Sequence, residues 1–272
     1  MTQFPEKINV RGVYFNNVTM QTAKDAAIEL ICRDGFDYIF TPNSEIVQMC
    51  IEDTSFYDKV NSASLIIPDG IGVVYASKIL GRPLRQKVGG FDLSKELMDY
   101  AAKNEKTVYL FGSAPAKDGN DAVCDIAAKK LCETYKGLKI VGTRNGYFSP
   151  EDTDDIINSI NSAKPDILFV CLGAPKQEKW IFENREKLKA SLALGLGGSL
   201  DVYAGTVKRA PKLFIKLNLE WFYRLIKQPS RIGRMMKLPK FLFGTIFYKL
   251  SGKDKKQAKE FKESKAKNGE TK

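Results

Sequence analysis

The chain has 272 residues, 43% of them hydrophobic and 28% charged, enough for one large α/β unit with an appendage. It contains no histidine, which excludes a Ser-His-Asp triad and removes the commonest metal ligand. The net charge of +11 is segregated: residues 1–205 carry 24 Lys+Arg against 27 Asp+Glu, leaving 19 against 5 for residues 206–272, so an anionic partner is expected for the last quarter alone.

In chain order, residues 8–19 read as a small β-hairpin and 22–32 as a helix. A strand over 38–40 ends in Thr41-Pro42-Asn43, and 45–52 continues as helix. The apolar run 65–67 is stopped by Pro68-Asp69-Gly70, and a helix is expected over 71–80. A basic, glycine-rich loop over 85–90 precedes a helix over 92–103. A strand over 108–111 ends in Gly112-Ser113-Ala114-Pro115, followed by a helix up to Tyr135. The strand 139–142 leads into Thr143-Arg144-Asn145-Gly146-Tyr147-Phe148, and Ser149-Pro150 with acidic residues behind it opens another helix. The strand 167–172 ends in Gly173-Ala174-Pro175-Lys176-Gln177-Glu178 ahead of a helix bearing Trp180. A last strand, 192–196, ends in Gly197-Gly198-Ser199-Leu200-Asp201.

Strands and helices that alternate through short loops predict an α/β fold: a mostly parallel, Rossmann-like sheet with helices on both faces. From residue 208 the composition changes, and Leu213, Phe214, Leu217, Trp221 and Leu225 fall at helical spacing along one face among Arg and Lys. This describes a basic helical C-terminal appendage that lies in a membrane interface, or one whose apolar face packs on the body. The expected divisions are a catalytic domain over 1–205, the appendage over 206–250 and a disordered charged tail over 251–272. Residues 1–9 lack the apolar segment of a signal peptide, and no apolar run approaches about 18 residues. The five cysteines, Cys32, Cys50, Cys124, Cys132 and Cys171, form no C-x-x-C and read as reduced, buried thiols.

Neither Gly195-Leu196-Gly197-Gly198-Ser199-Leu200 nor Gly70-Ile71-Gly72 completes a dinucleotide fingerprint. Asp152-Thr153-Asp154 resembles a metal-binding pair but sits where a helix's first turn favours acidic residues. The polar strand ends share one edge of the sheet, where open α/β folds bind ligands. Asp69 stands there with two readings: the N-cap of the helix from 71, or a functional carboxylate. Arg224, Arg231 and Arg234 suit a diphosphate, because guanidinium groups donate through a planar fork; lipid headgroups or surface carboxylates suit them as well.

The blocks Thr41-Pro42-Asn43, Pro68-Asp69-Gly70, Gly89-Gly90-Phe91-Asp92-Leu93, Phe111-Gly112-Ser113, Gly173-Ala174-Pro175-Lys176-Gln177-Glu178, Gly197-Gly198-Ser199-Leu200-Asp201, Lys208-Arg209-Ala210-Pro211 and Glu220-Trp221-Phe222-Tyr223-Arg224-Leu225 occur in this order. Together they resemble the WecG/TagA/CpsF glycosyltransferases over residues 8–235. The resemblance implies an inverting, metal-independent, cofactor-free transfer of N-acetylmannosamine from a UDP-sugar to polyprenyl-diphosphate-linked N-acetylglucosamine. It places the enzyme at the cytoplasmic face of the membrane, in cell-wall teichoic acid or surface polysaccharide synthesis.

Carried over by position, Asp69 is the catalytic base with Thr41 and Gln177. The substrate-binding set is Asn43, Gly112, Ser113, Gly146, Tyr147, Gly173, Gly198, Asp201, Arg224, Arg231 and Arg234. Gln228-Pro229 departs from the Glu-Pro common in the family, which touches the appendage and leaves Asp69 alone. One carboxylate suffices to remove the acceptor proton, and arginines can stabilise a departing UDP. Two other readings stay open. The donor is UDP-N-acetylmannosaminuronic acid, met by Arg85, Lys87 or Lys176; or the chain is a non-catalytic module that binds nucleic acid or anionic lipid through its tail. The glycosyltransferase reading expects no nucleic acid and is compatible with a homo-oligomer.

Overall fold

The computed structural model describes residues 5–227, 229 and 232–254. Strands β1 (Lys7–Val10) and β2 (Val13–Asn16) form the expected antiparallel hairpin. Six further strands are β3 (Asp37–Phe40), β4 (Leu65–Ile66), β5 (Thr107–Gly112), β6 (Lys139–Arg144), β7 (Ile167–Cys171) and β8 (Leu192–Gly195). They form one all-parallel sheet in the order β4-β3-β8-β7-β5-β6. The hairpin covers the β4 edge, where the Asn16 side-chain oxygen accepts from the Ile66 amide at 2.9 Å, so this edge is not left open for another strand.

Helices cover both faces because β-strand side chains alternate. Tyr38, Phe40, Ile66, Tyr109, Phe111, Leu168 and Val170 point into one core, against α2 (Ser44–Glu52), α3 (Ser55–Asn61), α4 (Ile71–Ile79), α7 (Thr153–Ala163) and α8 (Lys176–Asn184). Ile39, Leu65, Val108, Leu110, Ile167 and Phe169 point into the other. They meet α1 (Met20–Cys32), α5 (Gly90–Lys103), α6 (Val123–Thr134) and α9 (Ser199–Ala204). The chain leaves β3 toward the first face through α2 and leaves β8, its neighbour, toward the second through α9. Such divergence opens a crevice at the carboxyl ends of the strands.

Two short helices, α3 and α9, were not expected from periodicity. Asp53 starts α3 by accepting from the Ser55 amide and hydroxyl at 3.1 and 2.7 Å, and Ser199 starts α9 by bonding back to the Leu196 carbonyl at 2.7 Å. The acidic run after Ser149 behaves as a helix opening: Asp152 accepts from the Ser149 amide at 2.7 Å in a capping box. Cys50, Cys124 and Cys171 are buried and unpaired, whereas Cys32 and Cys132 are exposed, against the expectation of burial throughout.

The apolar face expected as one stripe over 212–227 is divided. Helix α10 (Lys212–Lys216) ends near Asn218, which takes a left-handed φ of 60°, and α11 (Glu220–Lys227) starts afresh. Helix α12 (Ile232–Met235) leads to α13 (Lys237–Leu250). Packing of an apolar helix face on the body, one of the two expected behaviours, occurs here. Phe241 of α13 is fully buried in the core of the first sheet face, while Phe243 and Phe247 are exposed. Gly72 makes room for α13: a Cβ there would lie 2.5 Å from Leu238 Cδ1 and 2.9 Å from Ser44 Oγ. Lys240 and Lys237 of α13 reach Glu52 at 2.6 and 3.6 Å. The Lys240 hydrogen bond, followed by that of Gln48, holds the Glu52 carboxyl down to about 2. The pair is solvent-exposed, so packing around Phe241 dominates the attachment.

Phe241→Ala is therefore expected to cost about 3–5 kcal/mol, read as a lowered denaturant midpoint. Phe247→Ala, at a side chain 70% exposed, is expected to stay within about 0.5 kcal/mol of the parent.

Candidate active site

Asp69 follows the β4 strand, whose ladder continues through the Ile67 amide to the Phe40 carbonyl at 3.0 Å. Its own amide donates to the Pro42 carbonyl at 3.2 Å, and the Val88 amide donates to the Pro68 carbonyl at 2.9 Å. The backbone around Asp69 is thus held on both sides. Asp69 does not occupy the N-cap position of α4, contrary to one expectation: the α4 N-cap is Gly70, with φ of 102°. Asp69 Oδ2 instead accepts from the Gly90 amide, the first residue of α5, at 3.2 Å. That helix end presents partial positive charge to the carboxylate.

Gly90 is required by its neighbour, since a Cβ would stand 2.8 Å from Thr41 Cγ2 and 3.1 Å from Thr41 Oγ1. Thr41 is buried, and its hydroxyl donates to the Gly195 carbonyl at 3.2 Å. Gln177 is buried on the far side of Gly195. Its Oε1 accepts from the Gly197 amide at 2.8 Å and its Nε2 donates to Glu178 Oε1 at 2.8 Å. Asn43 is the N-cap of α2, its Oδ1 taking the Glu45 and Ile46 amides at 2.9 and 3.1 Å. Asp69, Thr41, Gln177 and Asn43 thus surround the ends of β3, β4 and β8.

The other expected binding residues stand over β5, β6, β7 and β8. Gly112, with φ of 138°, crosses the Cys171 carbonyl so closely that any Cβ would collide with backbone. Ser113 follows with φ of 63°, accepts from the Gly146 amide at 2.9 Å through its carbonyl, and donates its hydroxyl to Asp201 Oδ2 at 3.1 Å. Gly173 accepts from the Gln177 amide at 3.0 Å, and Gly198 is the N-cap of α9, whose first turn carries Asp201. Tyr147 is 69% exposed beside this rim. Lys176 donates to the Gly146 carbonyl at 3.1 Å and lies 3.9 Å over the Phe148 ring, and burial lowers its pKa. Arg224 and Arg234 fall in α11 and α12; their side chains, and Arg231 entirely, lie outside the described residues.

Sequence reasoning missed an ion-pair cluster flanking the start of α5. Arg209 grips Asp92 with two bonds of 2.7 Å and reaches Glu220 at 3.4 Å, and Glu220 also meets Lys87 at 3.4 Å. Arg209 stacks 4.7 Å over Phe91, which stacks on Tyr203. Burial by itself would raise Asp92, yet the Arg209 guanidinium brings its carboxyl net below the ordinary range. The signal was present in Lys208-Arg209-Ala210-Pro211, although nothing in its spacing names Asp92 as the partner. Glu178 was quoted only as part of a motif; it is buried, and desolvation pushes its carboxyl up to about 7. Among the described residues, no group of three or more Cys, Asp or Glu is placed to hold a metal ion.

A doubly wound parallel sheet with one rim of carboxylate, hydroxyl and amide groups defines a ligand-binding α/β enzyme of the open-sheet class. The chain belongs to the glycosyl transferase WecG/TagA/CpsF family, whose profile matches residues 8–255. It is 40% identical to the N-acetylglucosaminyldiphosphoundecaprenol N-acetyl-beta-D-mannosaminyltransferase of Bacillus subtilis (strain 168), over 75% of this chain and 76% of that one. The protein of the same name from Bacillus spizizenii is 38% identical over 77% and 78% of the two chains. That from Staphylococcus aureus (strain MW2) is 34% identical over 87% and 91%. A solved structure from Burkholderia cenocepacia J2315 overlaps 80% of this chain and 92% of its own at 17% identity, but its TM-score of 0.27 carries no argument.

The elevated Glu178 pKa fixes the sign of one pH effect. The folded state keeps a proton up to about 7 that the unfolded chain releases near 4.5, so stability falls as pH rises between these values. Wild type is expected to lose up to about 3 kcal/mol across that window relative to Glu178→Gln, measured as unfolding free energy at a series of pH values.

Proposed function

We propose that the protein transfers N-acetylmannosamine from its UDP-sugar to undecaprenyl-diphosphate-linked N-acetylglucosamine with inversion, forming a β-1,4 linkage. The observation that carries this reading is the Asp69 carboxylate, held at a strand end by the Gly90 amide, with Thr41 packed against the same Gly90. Asp69 removes the proton from the acceptor's 4-hydroxyl as that oxygen forms a bond to the donor's anomeric carbon. The bond from that carbon to UDP breaks, and its electron pair leaves with the diphosphate. The appendage arginines Arg224, Arg231 and Arg234 are assigned to the charge that builds there. The rim of Gly112, Ser113, Gly146, Tyr147, Gly173, Gly198 and Asp201 is assigned to the nucleotide sugar. The names of the relatives support the sugar and the acceptor.

The commitments of two of the three cations named for a donor carboxylate, Lys87 and Lys176 but not the exposed Arg85, favour an uncharged sugar over the uronic acid. Lys87 pairs with Glu220, and Lys176 is occupied by a carbonyl and an aromatic ring. Neither offers a free ammonium to a donor carboxylate. No helix among the described residues is long and apolar enough to cross a membrane, while the appendage exposes Leu213, Leu217, Ile226, Ile232 and Phe247. Together with its basic excess this supports peripheral attachment at the cytoplasmic face.

Asp69→Asn keeps an acceptor for the Gly90 amide, so stability is expected within about 1 kcal/mol of the parent. Its turnover of UDP-N-acetylmannosamine with the lipid-linked acceptor is expected to fall at least about 100-fold. An unchanged rate would return Asp69 to a structural role. Wild type should prefer UDP-N-acetylmannosamine to the uronic acid donor, and should float with anionic liposomes while failing to retain labelled oligonucleotides. Binding to oligonucleotides with steep salt dependence and no sugar turnover would favour the non-catalytic reading.

A further inference from the structure

Glu178 is 1% exposed at the start of α8. Its Oε1 accepts from Gln177 Nε2 at 2.8 Å, and its Oε2 has no hydrogen-bond partner among the described residues. From α2, the titratable groups facing it are Glu45 and Cys50. Desolvation is the largest influence on the carboxyl; the Gln177 bond acts weakly against it, and Glu45 adds to it. A group kept in so unfavourable a place without an ion-pair partner is not explained by stability, because a buried polar group costs free energy unless its bonds are made.

Its side-chain bond falls on a residue whose orientation matters. The two ends of a glutamine amide are nearly equal in size and opposite in hydrogen-bonding sense. At Gln177 the Gly197 amide demands the oxygen end, at 2.8 Å, and Glu178 demands the nitrogen end. The amide nitrogen then lies 3.1 Å from the position a Cβ would take on Gly195, whose carbonyl also accepts from Thr41. We propose that Glu178 is a positioning residue that locks the Gln177 amide end for end, so that a donor, never an acceptor, faces Gly195, whose carbonyl Thr41 bonds. Its task is met in either protonation state: the neutral acid carries its proton on Oε2 and still accepts at Oε1. A proton on Oε1 would call for the reversed amide and set two N–H groups against each other at Gly197.

The inference rests on the reading of Gln177 as a residue that faces the ligand, and the experiment separates the two. The full chain is assayed with UDP-N-acetylmannosamine and the lipid-diphosphate acceptor as Glu178→Met, Glu178→Gln, Gln177→Ala and the Glu178→Met/Gln177→Ala double variant. Glu178→Met is expected to lower kcat about tenfold with the donor KM within about threefold. Glu178→Gln, whose amide oxygen still accepts, is expected to restore kcat to within about threefold of wild type. The double variant is expected to be no slower than Gln177→Ala, as for two residues that act as one unit.

A Glu178→Met enzyme at the wild-type rate beside a slow Gln177→Ala would overturn the inference. So would additive losses in the double variant, or Glu178→Gln as slow as Glu178→Met. A Gln177→Ala enzyme at the wild-type rate would remove the reading of Gln177 itself. Infrared spectroscopy of the substrate-free proteins supplies a readout that needs no turnover and no Glu178→Met. A protonated-carboxyl band absent from Glu178→Gln is expected to shift in Gln177→Ala, and an unmoved band sinks the proposed contact.

Discussion

The site depends on the approach of one helix end to one carboxylate. Helix α5 points its first amide at Asp69, and it gets there because Gly90 has no side chain to strike Thr41. A helix N-terminus offers amides with no partner inside the helix, so the contact satisfies backbone and carboxylate together. It also ties three strands to one spot, because Thr41 ends β3, Asp69 ends β4, and Thr41 bonds the last residue of β8. Gly89 and Gly90 therefore matter for what they leave out.

The same helix end is held from the opposite direction by charge. Arg209 binds Asp92 in the first turn of α5 through both carboxylate oxygens, a geometry that a lysine cannot reproduce. Glu220, at the start of α11, joins that guanidinium to Lys87 on the loop before α5. The segment that carries the appendage is thus coupled to the helix that positions the Asp69 carboxylate. Three of these partners are only about a fifth exposed, so removing one leaves the others partly desolvated and badly paired.

Much of the sheet was legible because buried parallel strands leave apolar runs that turn residues end abruptly. Each of the six sheet strands fell where these signals placed it, within about two residues, whereas the hairpin expected over 8–19 ends at Asn16. The strand-end residues were legible for the same reason. What stayed hidden involved partners far apart in the chain. Asp69 is followed at once by α4, so local pattern suggested that helix as its partner; its bond goes to Gly90, 21 residues on. Asp92 with Arg209 spans 117 residues, and no periodicity encodes such a meeting. The appendage misled in another way. Apolar residues among lysines describe an interfacial helix as well as a docked one, and α13 docks through Phe241 while Phe247 points outward.

That double character of α13 bears on the order in which the molecule can be completed. Among the described residues, the core beneath α1, α5, α6 and α9 draws on no buried residue beyond Ala204, whereas the core on the opposite sheet face includes Phe241, with Leu242 and Tyr248 against it. During synthesis from the N-terminus, one side of the sheet has all its buried residues while the other still lacks its last aromatic plug. The face beneath α1, α5, α6 and α9 is available as a finished support, and the opposite face closes on it once the appendage brings Phe241.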